Sequence, residues 1–363
     1  MRGKSRIVLL GVAALVLGLA ALGQAAPAKK LNFVLGTQTY TTQYCNFSIP
    51  MQLGYFAEEG VQVEITPAGG SLAVLTMLAG GGAEIGYGNP DALMLAAAKG
   101  TPTDVVSFSL ISPKFIFELL VLEESPIKTW RDLKLLNGKS VGILAKGSVT
   151  WPIGRAMVAE AGGNPDSIDW LPVGPDVSGA EALRRGRIQA LSYVDSLRAR
   201  LEVHGYKLRV LKTPKTEQLI SVFAAARLPW VRENRKSAVG FSRAIAKGAR
   251  FCIENPEASV YLHWKQFPQS RPKGLTEKEA LRLDMAILKS RSPSWEINDR
   301  VPRKWGHHTK EDWERYREFL GISPSVLPDV TRFYTNELVD EANRFDEQQI
   351  VRQARSFDLS KAK

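Results

Sequence analysis

Four short stretches of this chain place small or hydroxyl-bearing residues directly before a helix-forming run. They are Gly69-Gly70-Ser71, Asn89-Pro90, Lys146-Gly147-Ser148-Val149-Thr150 and Tyr193-Val194-Asp195. The first turn of a helix carries unpaired N–H groups and partial positive charge, so such junctions can hold anions or hydrogen-bond acceptors. Each helix end is worth ~0.3–1 kcal/mol, and up to ~2 kcal/mol when partly buried. Ser71, Asn89, Ser148 and Asp195 are also good N-caps, so capping alone accounts for any one of them taken singly. Ser148 stands out because Gly147 lets a ligand approach the backbone. Asp195 adds negative charge; it suits an amine or a simple cap.

A second candidate is the loop Gln38-Thr39-Tyr40-Thr41-Thr42-Gln43-Tyr44-Cys45, polar and aromatic without helical or strand period. Rings and hydroxyls together suit the wall of a solute pocket, with a plain surface loop as the alternative. Phe115 can supply an apolar wall, and Trp151 either a wall or a core side chain. The candidate ligand-binding set is Tyr40, Gln43, Tyr44, Ser71, Asn89, Phe115, Ser148, Val149, Thr150, Tyr193 and Asp195. Lys146 is the one basic residue assigned near it, which fits a small organic anion with an apolar body better than an inorganic ion. No nucleophile with an adjacent base is evident, so no catalytic residue and no cofactor is expected. The histidines His204, His263, His307 and His308 show no metal-ligand spacing, and His307-His308 reads as an exposed turn.

The elements that must position these residues alternate strand and helix. Strands are expected at Leu31–Gly36, Val61–Thr66, Glu84–Tyr87 and Val105–Phe108, with helices at Ile49–Glu59, Leu72–Ala79 and Pro90–Lys99 between them. A second round follows, with strands at Leu119–Leu122, Ser140–Leu144, Asp169–Val173, Ile188–Val194 and Leu208–Leu211, and helices at Trp130–Leu136, Val149–Ala161, Ser178–Arg185 and Ser196–Val203. The rhythm favours parallel sheets flanked by helices. In open α/β sheets ligands bind beyond the carboxyl ends of strands, where the four junctions fall. The chain crosses between the two units near Phe117–Leu120 and Glu217–Phe223, and both crossings read as continuous strands, a hinge more than a tether. From Pro229 onward helices are expected at Val231–Glu254, Pro256–Gln266, Glu277–Arg291, Glu311–Leu320 and Val330–Asn343, with the last dozen residues frayed.

Arg2, Lys4 and Arg6 precede an uncharged run from Ile7 to Leu22, followed by small residues at Gly23, Ala25, Ala26 and Ala28. This reads as a secretory signal peptide over residues 1–25, cleaved after Ala25 or after Ala28, with an uncleaved anchor helix as the rival reading. The run is shorter than the ~20 residues of a membrane span. Hydrophobic content of 44% and charged content of 23% are those of a globular chain. The net charge of +11 permits nucleic acid, anionic membrane or acidic solute. Export and the lack of a basic-aromatic stripe argue against nucleic acid. Much of the positive excess lies between Arg227 and Arg317 and reads as a solvated helical face. Cys45 and Cys252 can pair in an oxidising compartment, or stay as two buried thiols, or leave Cys45 exposed.

Several words of the chain resemble one family. Gly54-Tyr55-Phe56-Ala57-Glu58-Glu59-Gly60-Val61, Leu78-Ala79-Gly80-Gly81-Gly82-Ala83-Glu84-Ile85-Gly86, Ile127-Lys128-Thr129-Trp130-Arg131-Asp132-Leu133 with Asn137-Gly138-Lys139-Ser140-Val141-Gly142, Ala182-Leu183 with Gly186-Arg187-Ile188-Gln189-Ala190, and Tyr334-Thr335-Asn336-Glu337-Leu338 are similar to segments of nitrate/sulfonate/taurine-type solute-binding proteins of ABC transporters. That family in turn resembles thiamine-pyrimidine synthases, whose Cys-rich segment this chain lacks. The resemblance implies an α/β bilobed periplasmic-binding-protein fold (type II), with lobe 1 at residues 26–118 and 217–363 and lobe 2 at 119–216. It implies a periplasmic receptor that closes on a small-molecule solute and docks on ABC permease membrane subunits; the chain itself is expected to be a monomer. An enzyme on the same scaffold, and a receptor for a membrane sensor, are the alternatives. The chain departs from the family at Glu84 and Gln189, where the family carries acids of its own pattern, and at Tyr193-Val194-Asp195-Ser196, where it carries an aromatic-acid-proline turn.

Overall fold

A computed structural model describes residues 28–175, 177–297 and 304–362. Residues 1–25, read above as a signal peptide, lie outside the described residues. None of the described helices is long and apolar enough to cross a membrane.

The strands form two five-stranded sheets. The first contains β1 (Lys29–Leu35), β2 (Val61–Pro67), β3 (Ile85–Gly88), β4 (Val105–Leu110) and β10 (Phe223–Arg227), in the order β2-β1-β3-β10-β4. The second contains β5 (Phe117–Leu122), β6 (Ser140–Ile143), β7 (Asp169–Pro172), β8 (Ala190–Val194) and β9 (Leu208–Leu211), in the order β7-β6-β8-β5-β9. The sheets are mixed, a correction to the all-parallel expectation. Strand β10 runs antiparallel to β3 and β4, and β5 antiparallel to β8 and β9. Each is the strand by which the chain enters a sheet from the other unit, so it arrives from the opposite direction.

The two sheets repeat one plan. Glu84 and Gln189, the departures from the family words, hold equivalent places before β3 and β8. Glu84 Oε2 accepts from Asn32 N of β1 at 2.8 Å, and Gln189 Oε1 accepts from Ser140 N of β6 at 3.1 Å. Each therefore satisfies a backbone donor of the neighbouring strand, a structural role.

Between the sheets the chain passes through residues 111–116 and 212–222. These segments are not continuous strands, since β4 ends at Leu110 and β10 begins only at Phe223. They are tied to each other instead: Ile111 N and Ser112 N both donate to Val222 O at 2.9 Å, and Ser221 N donates to Ser112 O at 2.9 Å. The C-terminal helices bridge the two units. Glu277–Arg291 packs on Pro256–Gln266 of the first and on Asp195–Val203 of the second, and Lys310–Phe319 touches both Pro90–Ala98 and Thr150–Glu160.

Other boundaries shift for local reasons. The expected Ile49–Glu59 helix is two helices, Cys45–Gln52 and Tyr55–Glu58, separated at Leu53 and Gly54, where Gly54 has φ 77°. The expected Val231–Glu254 helix divides into Leu228–Glu233 and Arg235–Glu254. Val330–Asn343 is not one helix, because Tyr334 leaves it to bridge Ser107 of β4. The last residues are ordered as a helix, Glu347–Arg355, and a turn, Leu359–Lys361, since Ile350, Val351 and Ala354 are buried. Cys45 and Cys252 form a disulfide joining Cys45–Gln52 to Arg235–Glu254. His308 is buried, not on an exposed turn: its Nε2 meets Ser107 Oγ at 2.7 Å and its Nδ1 accepts from Trp313 Nε1 at 3.2 Å.

Candidate functional site

The carboxyl ends of β2, β3, β6 and β8 each feed a helix: Ser71–Ala79, Pro90–Ala98, Thr150–Glu160 and Asp195–Val203. Two belong to each lobe. At none of the four does the residue just before the helix cap it with its side chain, but in the second lobe Ser148 Oγ accepts from Thr150 N and Asp195 Oδ1 from Ser196 N. The four starts converge on one cavity of about 160 Å³, lined by Gly70, Ser71, Asn89, Ser148, Val149 and Val194 among others. The lobes also approach at two loops: a Cβ on Gly70 would lie 3.0 Å from the Gly147 carbonyl oxygen. Gly70 has φ 109° and Gly147 φ 81°, backbone that side chains rarely adopt. The two junctions therefore face one crevice.

Of the residues expected from sequence, Gln43, Tyr44, Ser71, Asn89, Ser148 and Val149 line this cavity. Asn89 is 4% exposed; Ser71 Oγ donates to its Oδ1 at 3.2 Å, while its Nδ2 has no hydrogen-bond partner among the described residues. Ser148 Oγ meets Thr150 Oγ1 at 3.0 Å and accepts from Thr150 N at 3.3 Å, which fixes the loop. Gln43 Oε1 accepts from Ser196 Oγ, a bond between the lobes. Tyr44 and Tyr87 meet edge to face at 5.7 Å and form an aromatic wall. Burial pushes the phenol of Tyr44 up, so it stays a neutral donor.

The other five lie away from the cavity. Tyr40 packs on Phe267 at 5.0 Å, with its hydroxyl 3.5 Å from Ile65 O. Phe115 sits among Phe117, Tyr316 and Phe319. Thr150 is fully buried; its Oγ1 accepts from Leu144 N at 3.2 Å and its carbonyl from Ser192 Oγ at 2.6 Å. Tyr193 donates its hydroxyl to Gly174 O in the core of the second lobe.

Asp195 is occupied by an internal cation. Arg291 Nε donates to its two oxygens at 3.0 and 3.1 Å, and Nη2 to Oδ1, while Nη2 also reaches Ser196 Oγ at 3.2 Å. Arg291 is 1% exposed and lines the cavity. Burial disfavours its charge, yet the Asp195 carboxylate holds it firmly protonated. Ser290 Oγ adds a bond to Asp195 O at 2.9 Å.

Sequence reasoning missed Arg291 and Arg200, which both line the cavity, and placed Lys146 there, which is exposed and does not. Arg291 ends an amphipathic helix and reads locally like its solvated neighbours; it is inside because that helix lies across the lobe boundary. Tyr87 could have been found, since it stands two residues before Asn89 at the end of β3. Among the described residues no group of three or more His, Cys, Asp or Glu could hold a metal ion.

Residues 41–259 match the family described as NMT1/THI5 like. The formylaminopyrimidine-binding protein of Halalkalibacterium halodurans is 22% identical over 262 residues, 71% of this chain and 77% of that protein. The 4-amino-5-hydroxymethyl-2-methylpyrimidine phosphate synthase of Uromyces fabae is 23% identical over 304 residues, 79% of this chain and 81% of that one. Among solved structures, the alkanesulfonate-binding protein of Xanthomonas axonopodis pv. citri bound to MOPS superposes with a TM-score of 0.59 at 15% identity, covering 88% of this chain and 99% of that one.

Proposed function

Because the chain belongs to the NMT1/THI5-like family and has the bilobed periplasmic-binding-protein fold, we propose that it is a periplasmic solute receptor of an ABC importer. It takes a small organic anion, of sulfonate or carboxylate type, between its lobes and delivers it to a membrane permease. One observation carries this reading: two helix starts from each lobe open on one cavity, beside the unpartnered Asn89 Nδ2. The partial positive charge of these helix starts and the free Asn89 Nδ2 receive the oxygens of an acid group. Arg291 is neutralised by Asp195, so the acid head is received by backbone and amide donors. Tyr44, Tyr87 and Phe117 give its organic body flat apolar contact. A solute touching both lobes binds the closed state better than the open one, and so shifts the population toward closure.

The neutralised Arg291 and the ring walls also favour a second reading, an uncharged pyrimidine, in keeping with what the Halalkalibacterium relative is named for. Native mass spectrometry of protein from its own periplasm, followed by a thermal-shift panel of alkanesulfonates, aromatic carboxylates and aminopyrimidines, separates the two. A true ligand at a hundredfold excess over its Kd stabilises by ~2.7 kcal/mol. A shift by acids alone supports the anion; a shift by pyrimidines alone replaces it. No co-purifying molecule and no shift would remove the receptor reading. Chemical change of the bound compound would move the protein to the enzyme class of its Uromyces relative.

A further inference from the structure

The two lobes are joined unevenly around the cleft. On one edge the Glu277–Arg291 helix runs from one lobe to the other. Its middle is fixed in the first lobe: the buried Asp284 accepts from Trp264 Nε1 at 2.6 Å, and Thr42 Oγ1 donates to the Asp284 carbonyl at 3.1 Å. Its last turn is fixed in the second. Arg291 holds both oxygens of Asp195, Ser290 Oγ donates to Asp195 O at 2.9 Å, and Arg198 Nη2 donates to Ser290 Oγ at 3.3 Å. Gln43, from the turn at Thr42–Tyr44, accepts from Ser196 Oγ beside them. The chain then enters the turn Ser292–Ser294, where Ser294 O accepts from Lys114 N at 3.4 Å and Ser294 Oγ meets Ser112 Oγ at 3.2 Å. Lys114 and Ser112 belong to the crossing segment 111–116, so this helix is tied to the first lobe, the second lobe and the crossing in turn.

The edge at Gly70 and Gly147 is different. Among the described residues, no hydrogen bond or ion pair links the Gly70 loop or the Ser71–Ala79 helix to the second lobe. What meets there is a glycine against a backbone carbonyl, beside the half-exposed Leu72 of one lobe and Trp151 of the other. The Lys310–Phe319 helix also touches both lobes, but it does so at the crossings: Tyr316 and Phe319 pack on Phe115, and Glu318 pairs with Lys215 at 2.7 Å. Parting the Gly70 edge breaks van der Waals contacts, each of them weak. Parting the Arg291 edge breaks a buried, charge-assisted ion pair together with the Ser290, Arg198 and Gln43 bonds. The two edges therefore differ in stiffness.

We propose that the cleft opens on one edge only. The Asp195–Val203 helix stays bound to Glu277–Arg291, which acts as a further hinge element beside the two crossing segments. The second lobe turns about that contact, so the Ser148 start swings away from the Ser71 start while the Asp195 start hardly moves. The solute then enters between the Gly70 and Gly147 loops and meets a wall of Gln43, Tyr44 and Arg291 that is already formed. This entry route rests on the receptor reading given above; the uneven hinge itself does not. The Arg291–Asp195 pair thus has a use that needs no contact with the solute: it keeps one side of the cavity assembled in the open state, so closure has only the other side to order.

Pulsed electron paramagnetic resonance on nitroxide-labelled, solute-free protein tests this, with the Cys45–Cys252 disulfide kept intact. One labelled pair, Leu72→Cys with Trp151→Cys, spans the Gly70 edge. The other, Glu202→Cys with Lys289→Cys, spans the tied helices at exposed positions. The first pair should give a broad or two-peaked distance distribution that reaches well beyond the closed separation. The second should give one narrow peak. A second pair as broad as the first, or a first pair as narrow as the second, would each overturn the proposal. In the double variant Asp195→Asn with Arg291→Met, which removes both buried charges together, the second pair should broaden as well. A narrow peak there would overturn the ion pair as the tie. None of these distances depends on which solute binds, so their failure leaves the receptor reading standing, and a failed search for a solute leaves them unchanged.

Discussion

Asp91 and Asp195 hold matching places in the two lobes and meet opposite fates. Each lies in the first turn of the helix that follows the middle strand of its sheet, β3 or β8. Asp195 is bonded on both oxygens by Arg291 and tied to the Glu277–Arg291 helix through Ser290. Asp91 is as deeply buried, yet one oxygen goes unpaired. The same element in the same architecture thus makes a fixed internal ion pair in the second lobe and a buried, unpaired acceptor in the first. Fold position alone assigns neither role. What decides is whether a distant segment lays a cation on it, and the C-terminal helices do so on one side only.

The comparison breaks most sharply at Arg291. Replacing it with methionine leaves Asp195 buried and unpaired, which should cost ~3–5 kcal/mol in urea unfolding. Adding Asp195→Asn should recover more than half of that loss. A single-variant cost below about 1 kcal/mol would mean that the pair does not secure the lobe boundary.

Asp91→Asn should act in the opposite direction and depend on pH. The Asp91 carboxyl is raised from 3.8 to about 7 in the folded protein. The folded state therefore holds a proton that the unfolded chain has already lost. Stability from this group is fully present below about 3.8, falls as pH rises, and is gone above about 7. The asparagine variant escapes that loss, so it should match the parent near pH 4 and exceed it by ~1–3 kcal/mol at pH 8. Asp284, also raised to about 7 by burial, and His263, lowered to about 4, titrate alike in both proteins and cancel in the difference. A constant gap across pH would mean that Asp91 is not the group responsible.

The facing loops give a finer contrast. Alanine at Gly70 or at Gly147 strains positive-φ backbone, at ~1–3 kcal/mol each. A Cβ at Gly70 also presses on the Gly147 carbonyl, whereas one at Gly147 meets nothing within 4 Å. Gly70→Ala should therefore weaken solute binding about tenfold, with Gly147→Ala near parent affinity; equal affinities would disconnect this contact from closure. The smallest effect concerns two tyrosines of one loop. Tyr44→Phe, in the cavity wall, should weaken solute binding a few-fold, while Tyr40→Ala should lower the melting temperature through loss of Phe267 packing and leave affinity within about twofold.

Much of this molecule is legible along the chain. Strand–helix alternation and glycine-closed helices fall where expected because periodicity and capping are properties of a few adjacent residues. The junctions at Ser71, Asn89 and Ser148 are visible for the same reason: a strand end, a small residue and a helix start are neighbours in sequence. The loop holding Gln43 and Tyr44 was legible by composition, but composition did not separate those two from Tyr40, whose direction is set by Phe267, more than two hundred residues away.

The sequence by itself determined two rounds of α/β structure and helix starts suited to an acceptor-bearing solute. Only the tertiary structure decided that those starts meet in one cavity, that β5 and β10 run against their neighbours, and that Cys45 joins Cys252. It alone turned Arg291 inward to Asp195 and left Asp91 without a cation. The physical reason is range: hydrogen-bonding geometry and hydrophobic period act between adjacent residues, whereas burial and charge pairing are settled by whichever distant segment packs closest.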